Sequence, residues 1–521
     1  SKDFTPVRCV EHKKDSNYFS IFDPRTIEHY ETFYRALSEH FGEKIDGVYA
    51  CILGPYGEGN YPLNASAWVI NLGHCHDEGY WCADPYAVNA FRDAMRARYA
   101  DIAALNKAWG TALTSFSEIT APKEIGLLDG GLLPLGGDFQ IATQDGAGFG
   151  NPAPAQSGNP APAQFGSPAP AQRAFTPSPA AWKTAQDRRR WLDFITWYHQ
   201  AIIDFTERSI QITLKYFPKE KVRTKPGGNA GGVNPISWGT YCPGYAKMAA
   251  KYGITLQPAD CMGACFGDKW VGTSYQFYGV RLSTEPAGGA DHKTFVKRMF
   301  SDASCGAAQI FTYEFDAHAA DIKSYAHLYT GKSGDTDVAV LCPTTLYRLG
   351  GDLWPMIHTA DRLRELTDFD VLDELLISDG ALTSRYRTLI LFEPEFIEQP
   401  IIDKIENWVK SGGRVVIFGT KSIRNVEGDT WAALDAGSKL GKGAIVRLDA
   451  FPKDNQALAA FRSAVPGLID PDSSFDGVWV TRRGKESFAL NKTDAAVTRK
   501  ITIGGKTKDV TIQPWTIEEA R

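Results

Sequence analysis

The sequence has no apolar run of the roughly 18 residues that a membrane-spanning helix needs. It also has no basic block. Its 56 Lys and Arg and 61 Asp and Glu are spread along the chain for a net charge of −5, so neither nucleic acid nor a membrane surface is an expected partner. The nine cysteines are odd in number and irregular in spacing, which excludes the even framework of a disulfide-stapled domain. Nothing at the start reads as a secretory signal, and SKDFTPVRC, without an initiator Met, reads as the inside of a domain. Localisation is open between cytoplasm and periplasm.

What is present is a globular composition, 43% hydrophobic and 22% charged, over 521 residues, a length that suggests about three domains. The 13 Trp and 21 Tyr exceed what a core alone asks for, and such rings suit stacking on flat apolar faces such as those of sugars.

From residue 22 helical and strand patterns alternate. Helices are expected at 27–41, 84–110 and 184–217, in YAKMAAKYG and in DHKTFVKRMFSDASCG. Buried strands are expected in IDGVYACILG, KVRTKPGG, ITLQPADCM, VRLSTEPAGG and AAQIFTYEFD. Repeated βα units imply a parallel sheet. Between 128 and 182 the pattern fails, and 151–174 hold three imperfect eight-residue repeats, NPAPAQSG, NPAPAQFG and SPAPAQRA, whose composition cannot pack a core of its own. A second alternation begins near 335 (DVAVLCP, FDVLDELL, RTLILFEP, GRVVIFG), and period-two segments follow from about 475. The expected fold class is therefore α/β. A (β/α)8 TIM-type barrel occupies 1–330 with an insertion at 128–182, a flavodoxin- or amidotransferase-like α/β domain occupies 335–450, and a small antiparallel β domain occupies 455–521. The strand ends of the second domain carry neither a G-x-G-x-x-G phosphate loop nor a nucleophile elbow.

In α/β barrels catalytic groups stand at the C-terminal ends of strands. Three expected strand exits carry a carboxylate beside glycine, proline or an aromatic: Glu58 in GPYGEGNYP, Glu285 in STEPAGG and Glu314 in TYEFD. Two carboxylates on different strands are what glycoside hydrolysis requires, one to protonate the departing oxygen and one to attack the anomeric carbon or activate water. For any one of them a salt bridge or a helix cap is the bland alternative.

GPYGEGNYP, the segment RYADIAALNKAWGT, STEPAGG and the two trailing domains together resemble a clan A glycoside hydrolase, and most of all family 42, the β-galactosidase-like group. The resemblance implies an exo-acting, retaining double displacement on terminal β-linked sugars. Glu58 would be the acid/base after strand four and Glu285 the nucleophile after strand seven, with carboxyl oxygens about 5 to 5.5 Å apart. It implies a carbohydrate substrate, a second domain that serves a homotrimer rather than catalysis, and barrel strands one to three that the residues before 22 cannot hold. One departure is plain. Clan A has Asn just before the acid/base, where this chain has Gly57, so the 2-hydroxyl contact would have to come from elsewhere, Asn60 or Asn229.

Further substrate-binding candidates are Trp68, Trp81, Trp238 and Trp270 as platforms, Tyr275 and Tyr278 as tyrosines touching the nucleophile, and Lys225, Asp260 and Arg281 near strand ends. GHCHDEGYWC packs two His and two Cys into ten residues; His74 or His76 could serve the sugar site. No cofactor is expected. A structural zinc, known from family 42 members, would draw on Cys9, Cys75, His76 and Cys82. Two other functions stay open: a non-catalytic carbohydrate-binding barrel, and an amidotransferase-like hydrolase in the second domain, whose first strand ends at Cys342.

Overall fold

The computed structural model describes residues 4–10, 13, 15–51, 53, 58–61, 80–120, 182–227, 236–258, 265–286, 289–435, 439–503 and 506–520. The chain divides into two compact units, one of residues 1–228, 234–240 and 348–351, the other of 229–233, 241–347 and 352–521. The insertion's repeats lie outside the described residues.

The first unit opens with a hairpin of β1 (Pro6–Arg8) and β2 (Asp15–Phe19). Helix α1 (Pro24–Phe41) starts where the Asp23 side chain accepts from Arg25 N and Pro24 presets the first turn. Strand β3 (Val48–Ala50) follows. The single helix expected over 84–110 is two, α2 (Pro85–Arg98) and α3 (Ile102–Trp109). The chain extends at Tyr99, and Asp101 restarts the helix by capping Ala104 N at 2.7 Å. Helix α4 (Ala185–Thr213) begins in a Thr184–Asp187 capping box. It lays Trp191, Phe194, Tyr198, Ile202 and Phe205 into the core, each such side chain contributing about 1.5–3 kcal/mol by burial. Strand β4 (Val222–Thr224) then pairs parallel with β3, Val48 opposite Val222.

In the second unit α5 (Cys242–Ala249) leads to β5 (Thr255–Leu256), α6 (Cys265–Tyr278), β6 (Arg281–Thr284), α7 (His292–Ser304), β7 (Gln309–Ile310) and α8 (Ala319–Tyr325). The three strands run parallel, with Leu256 opposite Leu282 and Thr284 opposite Ile310. Helix α6 replaces what the sequence reads as loop. Its residues Cys265 to Tyr275 are all buried, and a helix buried all round shows no amphipathic stripe.

The chain continues through β8 (Val338–Cys342), α9 (Thr344–Arg348), α10 (Trp354–Leu366), β9 (Asp370–Asp373), α11 (Glu374–Ser378), β10 (Thr388–Leu391), α12 (Gln399–Lys410), β11 (Arg414–Phe418), α13 (Ala432–Asp435), β12 (Lys439–Leu440) and β13 (Gly443–Leu448). These strands form one sheet in the order β12-β13-β11-β10-β8-β9, parallel except for β12. The sheet is hydrophobic through its centre, as a layer covered on both faces must be. FDVLDELL is strand only to Asp373, whose side chain then caps α11 through Leu376 N at 2.8 Å. After α14 (Asn455–Ala464), β14 (Val478–Arg483) and β15 (Glu486–Asn491) form a hairpin joined by β18 (Ile517–Ala520). Strands β16 (Val497–Ile503) and β17 (Lys506–Ile512) form a second hairpin. The molecule is thus α/β with several sheets.

Candidate active site

Glu58 stands beyond β3, where Cys51 takes a left-handed backbone (φ 62°) and turns the chain out of the strand. A non-glycine residue there stores strain of about 1–3 kcal/mol, a feature of functional strand exits. Gly59 N donates to Lys225 O at 2.8 Å and Gly59 bridges to Pro226, so the exits of β3 and β4 run side by side. That register brings Lys225 Nζ within 3.1 Å of Glu58 Oε1, both side chains being almost buried. Asn60 is wholly buried at the next position but one. Tyr61 N donates to Trp238 O at 3.1 Å, and the Tyr61 ring stacks on Tyr198 with centroids 3.9 Å apart. Gly239 (φ 78°) makes room for that ring, since a Cβ there would lie 2.6 Å from it. Glu58, Asn60, Lys225 and Trp238 therefore belong to one wall.

Glu285 is the first residue past β6, 9% exposed, with its N–H on Pro258 O at 3.2 Å. Its Oε1 accepts from the Tyr313 hydroxyl at 2.9 Å. Tyr313 follows β7, and a buried pair holds both exits from behind. Arg298 Nη2 donates to Phe311 O at 2.8 Å, while Thr284 Oγ1 donates to Asp302 Oδ2 at 2.7 Å. Glu314 does a different job. Its half-exposed carboxylate accepts from Ala290 N at 3.1 Å and lies 3.7 Å from His318, bracing the loop after Glu285. Gly289 is needed at that brace, because a Cβ would lie 2.6 Å from Glu314 Oε1.

Several expected residues stand elsewhere. The tyrosine on Glu285 is Tyr313; Tyr275 is buried in α6, and Tyr278 bonds Asp379 at 2.8 Å and packs on the core of the six-stranded sheet. Arg281 is exposed at the entry of β6, the end opposite Glu285. Trp81 is buried with its backbone N–H on the Tyr198 hydroxyl, and Trp270 is buried in α6, so neither offers a ring face to a ligand. Trp68, His74, Cys75, His76, Asn229 and Asp260 lie outside the described residues. Cys9 and Cys82 are buried on segments joined by Val10 N to Tyr80 O at 2.8 Å. Among the described residues no three metal-ligating side chains cluster. Sequence reasoning missed Tyr313 although it adjoins Glu314 in the same quoted stretch. The one available signal was its place at a strand exit.

Comparison with known proteins bears on this geometry. The profile of Glycosyl hydrolase family 14 matches residues 11–132, a stretch that includes Glu58, α2 and α3. The thermophilic beta-amylase of Thermoanaerobacterium thermosulfurigenes is 35% identical over 98 residues, 18% of this chain and 17% of that protein. The chain thus spans under a fifth of the length of this curated relative. Among solved structures, the beta-galactosidase from Bacillus circulans sp. alkalophilus superposes with a TM-score of 0.63 at 13% identity, covering 99% of this chain and 86% of its own. The apo exo-carrageenase GH42 from Bacteroides ovatus gives 0.60 at 12%, covering 99% and 72%. At such identity the likeness is one of fold. The expected resemblance to clan A glycoside hydrolases of family 42 stands at that level.

Proposed function

We propose that this chain, built on the fold of the family 42 glycoside hydrolases, hydrolyses glycosides with Glu58 as acid/base and Glu285 as nucleophile. The observation that carries the proposal is that each glutamate is buried at the C-terminal exit of a parallel strand and held by a partner of its own, Lys225 or Tyr313. The finer reading is exo-acting and retaining, on terminal β-linked sugars. The Tyr313 hydroxyl holds the Glu285 carboxylate, which attacks the anomeric carbon. Glu58 gives its proton to the departing oxygen as the glycosyl–Glu285 bond forms. The freed Glu58 carboxylate, its charge offset by the Lys225 ammonium, takes a proton from water as that water displaces Glu285.

Asn60, Lys225 and Trp238 are proposed as substrate contacts. Residues 335–450 are proposed to serve a homotrimer. The amidotransferase alternative meets a physical objection. Cys342 is wholly buried, and burial pushes its thiol well above the usual range, with the Asp373 and Glu374 charges adding to this. A non-catalytic barrel is opposed by strain and ion pairing gathered at one strand exit.

A second substrate reading, an amylose chain as for a beta-amylase, is favoured by the family 14 profile over residues 11–132, which include Glu58, and by the 35% identity over 98 residues to a beta-amylase. Incubation with 4-nitrophenyl β-D-galactopyranoside and with amylose, followed by proton NMR of the first-formed product, separates the two. Release of β-galactose is the expected result. Shortening of amylose with the galactoside untouched transfers the proposal to the second substrate, and turnover of neither ends it.

A further inference from the structure

The wall behind Glu58 gathers several buried polar groups that have no hydrogen-bond partner among the described residues. Asn60 is 0% exposed, and neither its Oδ1 nor its Nδ2 has a hydrogen-bond partner among the described residues. The same holds for Ser237 Oγ and Thr240 Oγ1, on residues 3% and 4% exposed, and for the indole N–H of half-buried Trp238. These groups sit on neighbouring segments. Gly59 N to Lys225 O on one side of Asn60 and Tyr61 N to Trp238 O on the other lock the three stretches together. Buried polar groups are almost always satisfied, and each one left unmet opposes folding, so a cluster of them marks a place where something else completes the bonds.

Gly227 shows that the cluster is built. A Cβ at this position would lie 2.4 Å from Asn60 Cγ, so the glycine is what allows the Asn60 amide to stand where it does. The strand exit gives up a side chain to seat an amide that has no hydrogen-bond partner among the described residues.

We infer that Asn60, with Ser237, Trp238 and Thr240, forms a subsite that reads two adjacent hydroxyls of a sugar ring beside Glu58. A carboxamide offers one donor and one acceptor side by side, and two neighbouring hydroxyls answer both, since each can donate and accept. Ser237 and Thr240 supply further hydroxyl partners, and the Trp238 N–H a fixed donor. The inference rests on the glycoside-hydrolase reading above and names which side chains select the sugar.

The test uses the full chain with 4-nitrophenyl β-D-galactopyranoside and amylose as probes. Asn60→Leu keeps the branched heavy-atom skeleton and removes donor and acceptor; Asn60→Asp keeps the shape and removes the donor. On whichever probe the wild type turns over, both variants should raise KM about 10- to 100-fold, the range for losing one or two hydrogen bonds and leaving a hydroxyl unmet. Gly227→Ala, which displaces the amide without altering it, should raise KM in the same direction. Asn60→Leu should unfold at a temperature no lower than the wild type, because it removes an unmet buried group. An unchanged KM in folded Asn60→Asp, or a lowered unfolding temperature in Asn60→Leu, overturns the subsite and assigns Asn60 a structural role or bound water alone. A wild type inactive on both probes removes the underlying reading instead, so the two failures are distinct.

Discussion

At the scale of single residues, Tyr313 carries the sharpest expectation. Its ring is 58% exposed, so it contributes little to packing, yet its hydroxyl holds Glu285 at 2.9 Å. Tyr313→Phe should lower kcat/KM about 10- to 100-fold, the range for a lost hydrogen bond to a charged group, while leaving the thermal unfolding midpoint in place. Kinetics and calorimetry on the same preparation check both halves. His199 carries a second expectation. Burial, and after it the Arg348 charge, push its imidazole down to about 3, while Nε2–H donates to Ile236 O at 2.8 Å. The unfolded chain binds that proton near the ordinary value of about 6.5. Stability from the neutral ring is therefore present above that value and is lost progressively as pH falls towards 3. Urea midpoints should drop from pH 7 to pH 5, and His199→Gln should show a smaller drop. The position of Glu58 and Glu285 at strand exits was legible in the sequence because glycine and proline flank them. Asn60 was legible as a candidate, but its unmet amide depends on segments 58–61, 225–227 and 236–240 meeting, which no local pattern reveals.

At the scale of elements, the segment RYADIAALNKAWGT that carried the family resemblance proves to be a structural latch. Tyr99 and the Trp109 indole both donate to Asp193 on α4, Asp101 caps α3, and Asn106 Oδ1 accepts from Thr111 and Leu113. Its recognisable spelling follows from closing two short helices onto a long one. Helix α6 was illegible for the opposite reason, since burial on every side erases the period that betrays a helix. That burial makes a prediction. Alanine ordinarily suits a helix better than glycine, by about 1 kcal/mol. At Gly272, however, a Cβ would lie 2.4 Å from Cys305 O. Gly272→Ala should destabilise by about 1–3 kcal/mol, the usual cost of overpacking, read as a lowered denaturant midpoint. A stabilised variant would contradict this packing.

At the scale of the whole molecule, alternating βα units made the parallel sheets legible, and the period-two tail made the antiparallel hairpins legible. The 151–174 repeats, which the sequence reads as an insertion that cannot pack a core, lie outside the described residues. If residues 335–450 serve assembly and not chemistry, light scattering on the purified chain should give the mass of a trimer, and Cys342→Ala should retain full glycosidase activity. A monomer would remove the assembly role, and lost activity would reopen a catalytic role for that sheet. The central claim is the covalent step at Glu285. Incubation with 2,4-dinitrophenyl 2-deoxy-2-fluoro-β-D-galactopyranoside, then digestion and mass spectrometry, should find a fluoroglycosyl group on the peptide that contains Glu285, and on Glu285 itself by fragmentation. An enzyme that hydrolyses the parent galactoside but carries no adduct, or carries it on another residue, would contradict the account.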